Sequence, residues 1–291
     1  MKKNIAYSSL SLFFAGIFFV INDAIINYLS VSNIKFYHFI FYGMPAYMSV
    51  PAYLYFSGNF KLKMRATNYY IPLIRGIIFA PIPFLIFLAL KNISLPEFTT
   101  INMSAPIFAA LLSILILKDK LNIYIVISLI FGLGGVILVI QPGFETFNFY
   151  FLISLLATFL VTINTIIVNK YHETTSSAGY FVYGGIFIHL LSIIFFIIDP
   201  IKINIYIFFL ITIASIFINL AILLTVVAFK FSQKFFASIF CLVYLQILWS
   251  CIIGFIIFDE FLNNFAFIGA ILIILSGIIS IPGQFKQINE Q

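Results

Sequence analysis

Charged side chains are scarce in this chain: Asp, Glu, Lys and Arg together make up 8% of 291 residues. A water-soluble domain draws about a quarter of its residues from those four, so a solvated surface around a buried core is excluded. Histidine occurs only three times and the nine acids fall mostly in expected loops. That leaves no cluster of His, Asp or Glu from which to build an intramembrane enzyme. The only two cysteines, Cys241 and Cys251, share one apolar run and point to different faces, so neither a disulfide nor a metal site is expected. A GxxxxGK[ST] phosphate loop is missing, and no connection is long enough to carry one. No cofactor is expected. Period-2 alternation is absent too, which removes a membrane β-barrel.

Apolar sequence fills what remains. Hydrophobic residues make up 63% of the chain and mean hydropathy is +1.17, so lipid is the solvent for most of it. Backbone groups in lipid must be satisfied within the segment, and runs of about 20 apolar residues span the hydrocarbon as helices. The sequence therefore predicts an all-α membrane protein of ten transmembrane helices, near 7–29, 36–56, 69–90, 96–117, 121–140, 148–169, 178–198, 204–229, 235–258 and 264–282. The first run is long and ends on no small-x-small cleavage site, so it is expected to stay as a helix. With both termini inside, Lys2, Lys3, Lys61, Lys63, Arg65, Lys118, Lys120, Lys170, Lys230, Lys234 and Lys286 are cytoplasmic and only Lys35, Lys91 and Lys202 fall outside. Basic residues accumulate in short cytoplasmic loops. The net charge of +6 thus reports topology rather than nucleic-acid binding.

The chain also repeats itself at a shift of about 140. INDAIINY (21–28) faces INTIIVNK (163–170), placing Asn22 on Asn164 and Asn27 on Asn169. Phe41-Tyr42-Gly43 faces Val182-Tyr183-Gly184, Ala89-Leu90-Lys91 faces Ala228-Phe229-Lys230, and LKDKL (117–121) meets FDEFL (258–262). Five spans per repeat is an odd number, so tandem halves over 7–143 and 148–282 enter the bilayer with opposite polarity. The expected architecture is two inverted five-helix repeats, which secondary transporters use for alternating access.

Leu73-Ile74-Arg75-Gly76, Leu95-Pro96-Glu97, Ala105-Pro106 and GLGGVILVIQPG (132–143) resemble the drug/metabolite transporter superfamily, specifically proteins with two EamA domains. YLQILWSCIIGFIIFDEFL (244–262) is similar to the ninth-helix signature of the branch that includes carriers of riboflavin and S-adenosylmethionine. Asp23 resembles an acid that this branch often has in its first helix. Asn27 stands where the branch frequently has a basic residue. The resemblance implies helices 1–4 and 6–9 around a central cavity, with helices 5 and 10 peripheral.

An ionisable group in a span normally faces the bundle interior. Asp23 and Asn27, at i and i+4, share a helical face whose repeat mate carries Thr165 and Asn169. Asp23 reads either as a substrate-amine or proton site or as a buried carboxyl bonded to Asn22. Thr99, Asn102 and Pro106 form a second stripe, and Gln246, Trp249 and Ser250 a third, with Tyr244 nearby. A Trp and a Tyr could stack on a planar heterocycle or a cation. Asn164, Tyr42 and Tyr183 complete the candidate substrate-binding set. Arg75 is expected to snorkel to headgroups, Glu97 to cap a helix, His38 and His189 to be packed, and the glycines of 132–136 with Gly269 and Gly277 to serve helix packing.

The leading function is secondary transport of a small polar metabolite, driven by protons or exchange, with a cofactor-like substrate slightly favoured over export of amino acids. A non-transporting scaffold would not need polar stripes in both halves. The expected partners are a small-molecule substrate and membrane lipid, with no nucleic acid and a homodimer admitted but not required. The expected location is the inner membrane.

Overall fold

The computed structural model describes residues 2–29, 34–90, 92, 101–118, 122–140, 149–232, 235–258 and 264–289. Glu97 and Thr99 lie outside these, as do the side chains of Asn27 and Cys251. The described chain is helical throughout, with one isolated antiparallel bridge between Ala66 and Thr175. Five helices are long and apolar enough to cross a membrane, at Asn4–Ile26, Tyr70–Ala89, Phe149–Lys170, Ser177–Ile198 and Ile205–Ser232. Shorter apolar helices run over Ala105–Leu117, Ile123–Leu138, Phe236–Ser250 and Phe267–Ile279. The protein is a multi-pass membrane protein.

Helix α1 spans Lys2–Leu29 without interruption. The run expected at 36–56 instead divides into α2 (Phe36–Tyr42) and α3 (Met44–Phe56). Pro45 in the first turn of α3 has no N–H for the carbonyl one turn back, so the helix restarts there. A short α4 (Phe60–Met64) follows. The next run divides for the same reason, with Pro81 and Pro83 between and inside α5 (Tyr70–Phe79) and α6 (Ile82–Leu90). Helix α7 (Ala105–Leu112) begins after a turn at 103–104 and ends in a π-helical turn, Ser113–Leu117. Pro106 sits in its first turn, where a missing N–H costs nothing.

Helices α8 (Ile123–Ile140), α9 (Phe149–Lys170), α10 (Ser177–Ile198) and α11 (Ile205–Ser232) are continuous. The run expected at 235–258 is broken into α12 (Phe236–Phe240), a 3₁₀ segment Cys241–Tyr244 and α13 (Leu245–Phe258), before α14 (Asn264–Asn289).

Packing exchanges elements between the two parts of the chain. Helix α1 runs along α11, while α9 packs on α5 and α6; α10 meets α2, α3 and α5, and α11 meets α2 and α3. Helices α8 and α14 pair along their length. Their contact is made of small groups: Ser128 Oγ donates to the Ser276 carbonyl at 2.8 Å and Ser276 Oγ to the Ser128 carbonyl at 2.7 Å. Close approach without large side chains is the usual basis of helix association in lipid.

Candidate functional site

Helix α9 provides a buried polar spine. Ser154, Thr158, Thr162, Asn164, Thr165 and Asn169 are all buried on it. Lipid cannot satisfy such a stripe, so it turns toward protein, and its side chains tie it to three neighbouring segments. Thr158 Oγ1 donates to Asn102 Oδ1 at 2.5 Å, just before the turn that starts α7. Asn164 Nδ2 donates to the backbone carbonyl of Arg75 on α5 at 2.8 Å. Asn169 Nδ2 donates to the Phe229 carbonyl and Ser232 Oγ of α11, at 3.2 and 2.9 Å.

Arg75 does not snorkel. Its side chain is 4% exposed and its Nη1 donates to the Tyr180 carbonyl of α10 at 2.8 Å. Glycine makes this possible: a Cβ on Gly184 would stand 2.1 Å from Nη1, so any larger residue there would displace the guanidinium. Arg75 lines a cavity of about 20 Å³ with Tyr47, Phe79, Phe181, His189 and Asn219. A void of that size holds a water or two. The His189 and Tyr47 rings stack at 3.8 Å, and His189 Nδ1 contacts the Gly185 carbonyl at 2.8 Å. His189 is packed, as expected, but on this cavity.

Both ends of the α10 rod are fastened to the stretch 35–67. At its start, Thr67 N donates to the Thr174 carbonyl at 2.8 Å beside the Ala66–Thr175 bridge, and Ser176 Oγ bonds the Lys63 carbonyl. Tyr183 OH donates to the Met64 carbonyl at 2.8 Å. At the other end, Asp199 accepts from Lys35 Nζ at 2.7 Å and from Tyr37 OH, while the His38 Nε2–H donates to the Asp199 carbonyl at 2.6 Å. His38 is therefore not isolated. Tyr42 OH donates to the Ile201 carbonyl at 2.5 Å. The 22 residues of α10, at 1.5 Å rise each, put these two clamps roughly 33 Å apart, about one hydrocarbon thickness.

Residues 2–141 match the EamA-like transporter family. The fold extends over nearly the whole chain: a solved crystal structure, 13% identical, superposes with a TM-score of 0.75 over 94% of this chain and 96% of that one. Among curated proteins, none matches the sequence.

The EamA-like half supplies Asp23, Asn27, Tyr42 and Asn102 of the expected substrate set, and the structure gathers the set at several places rather than one. Asp23 is exposed on α1 and accepts from Asn22 Nδ2 at 3.1 Å. Seven residues back on the same helical face, Gly16 lies under Trp249 and Gln246, and Trp249 meets Phe13 edge-on at 5.1 Å with its Nε1 unpartnered. Asn102 and Asn164 bind the α9 spine and Arg75 as described. Tyr42 and Tyr183 sit in opposite clamps. Tyr244 is fully buried against Gly132 of α8, in a cluster with Val136 of α8 and Ile273 of α14. Sequence reasoning missed Tyr47, Asn219 and Asp199; the adjacent Gly184 and Gly185 were the readable sign that large groups approach α10 there.

The Asp199 clamp carries a pH prediction. The hydrogen bond from Lys35 holds the Asp199 carboxyl below its ordinary 3.8, and the same bond holds Lys35 above its ordinary 10.5. A depressed acid contributes closure that is full above its ordinary value and lost as pH falls through its lowered one. A raised lysine contributes closure that is full below its ordinary value and lost as pH rises through its raised one. Thiol labelling of Ile201→Cys is therefore expected to be flat over about pH 8–9, after correction for thiolate fraction. A step inside that window would show that another group governs this end.

Proposed function

We propose that this protein is a secondary carrier of a small polar metabolite that works by alternating access, with ten spans arranged as inverted halves over 7–143 and 148–282. The observation that carries the reading is the pair of clamps at opposite ends of the bundle, with a buried polar spine between them. Each clamp is the other's counterpart. Tyr42 reaches the connection after α10, and Tyr183, its repeat mate, reaches the connection after α3. Gly43 lies against Ser215 and Gly184 against Arg75, positions again about 140 apart. The α8–α14 pair fits the same symmetry, since a shift of about 140 carries the Ser128–Ser276 contact onto the close approach of Gly135 and Gly269. Because mates occupy opposite ends, the axis of that symmetry lies in the membrane plane. The turn at 103–104 and the 3₁₀ segment Cys241–Tyr244 interrupt corresponding helices, and such interruptions mark substrate sites in inverted-repeat carriers.

Both clamps are closed in this conformation, and transport requires each end to open in turn. Basic residues favour an inner-membrane orientation with both termini and the 63–67 clamp in the cytoplasm. The ninth-helix resemblance favours a cofactor-like substrate, with amino-acid export as the runner-up, and Asp23 is the candidate for proton coupling. Flux into proteoliposomes, measured with and without a pH gradient, tests the reading. Asp23→Asn is expected to abolish or uncouple flux while membrane insertion stays normal. Unchanged flux in that variant would remove Asp23 from the mechanism, and no flux for any metabolite would favour a scaffold.

A further inference from the structure

We propose that Arg75 anchors an anionic group, a carboxylate foremost, of the molecule this protein carries; the inference rests on the carrier reading above. Arg75 is a buried cation without a counter-ion, since no carboxylate lies within ion-pair distance of it among the described residues. Removing a guanidinium from water without an opposite charge is among the most unfavourable arrangements a fold can hold. One backbone bond to Tyr180 does not offset it. That carbonyl already faces the helical N–H four residues on, so a charged group is not required to satisfy it.

The side chains that surround Arg75 in the cavity have partners of their own. Tyr47 gives its hydroxyl proton to the Val182 carbonyl, Asn219 Nδ2 donates to the Ser215 carbonyl at 2.7 Å, and His189 Nδ1 is held by Gly185. Arg75 Nε is buried and has no acceptor. Among the polar atoms lining the cavity, the buried one left without a partner therefore belongs to a cation. A guanidinium presents its N–H groups as a planar fork that fits two oxygens of one anion.

The second half has no equal. Where Gly184 makes room for Arg75, Gly43 makes room for Ser215, so the pseudo-symmetric position is small and neutral. Among the described residues Arg75 is the one lysine or arginine side chain that is buried. About 20 Å³ admits a headgroup and excludes a whole metabolite, whose remainder enters only when the helices part. Among the substrate classes that the sequence suggests, amino acids and S-adenosylmethionine carry a carboxylate and riboflavin does not.

The test uses purified full-length protein and small probes. Sodium acetate is expected to raise Tm saturably where sodium chloride and acetamide do not. Sodium phosphate forms a second arm that separates a phosphate preference from a carboxylate preference. Arg75→Gln is expected to raise the half-saturating acetate concentration about tenfold or more, with Arg75→Lys retaining part of the response. A saturable acetate response undiminished in Arg75→Gln, or no anion response in the wild type, overturns the anchor.

A second measurement covers poor folding of the variants. Arg65 and Arg75 are the only arginines in the chain, so Arg65→Lys leaves a single target for phenylglyoxal. Acetate, but not acetamide, is expected to slow its modification; equal rates overturn the proposal. Flux distinguishes the two levels. A protein that transports but ignores anions sinks the anchor alone, whereas anion binding without any flux sinks the carrier and keeps the anchor.

Discussion

A disulfide between Ala66→Cys and Thr175→Cys, in a background with Cys241 and Cys251 replaced by alanine, is expected to reduce flux to the level of protein-free vesicles, and dithiothreitol is expected to restore it. The pair forms an antiparallel bridge, and directly opposed residues in such a pair have Cα atoms about 4.5–5.5 Å apart, within disulfide range. The bond adds no bulk inside the bundle. It fastens what is already fastened in this conformation, so its effect falls on the states in which the connections at 63–67 and 174–176 separate. A carrier must visit such a state once per cycle, while a scaffold or a channel gated elsewhere need not. Quantitative cross-linking with undiminished flux would refute alternating opening at this end. Asp199→Ala at the far clamp makes the complementary case. It removes the acceptor of Lys35 and Tyr37 and is expected to leave the Ala66–Thr175 end intact.

The five long apolar helices were legible because hydrocarbon thickness fixes the length of a spanning helix. The interruptions were less so. Pro45, Pro81 and Pro83 stood in the sequence, but hydropathy does not register a lost N–H, and the runs at 36–56 and 69–90 read as unbroken. Tyr244 shows the same limit in another form. Helical spacing places it beside the stripe of Gln246 and Trp249, but the 3₁₀ segment ending at Tyr244 turns three residues per turn instead of 3.6. The ring therefore swings toward α8. Depth alone suggested that Arg75 snorkels; what decides its course is the missing Cβ of Gly184 on a distant helix. Tyr42 and Tyr183 were readable as a pair and unreadable as fasteners, because their acceptors are backbone carbonyls that no side-chain pattern marks. His38 looked solitary because Asp199 lies 161 positions away.

The glycines of α8 separate packing from mere helix composition. Sequence reads Gly132, Gly134 and Gly135 alike, whereas in the structure a Cβ on Gly135 would stand 2.7 Å from the Gly269 carbonyl oxygen and one on Gly134 would meet nothing within 4 Å. The oxygen is backbone and cannot rotate aside, so Gly135→Ala must push α8 and α14 apart. That movement stretches the reciprocal Ser128 and Ser276 bonds as well. An overpacked interface costs about 1–3 kcal/mol. Gly134→Ala is the same chemical change at a position of the same helix where the added methyl meets open space. Its helix-propensity gain is small, about 0–1 kcal/mol, because helices inserted in a bilayer stay helical when they come apart. Denaturant titration of the two variants is expected to place Gly135→Ala well below the wild type and Gly134→Ala level with it or slightly above. Equal destabilisation by both would mean that α8 and α14 are not held by close backbone approach, and the proposed two-fold relation of these helices would lose that support.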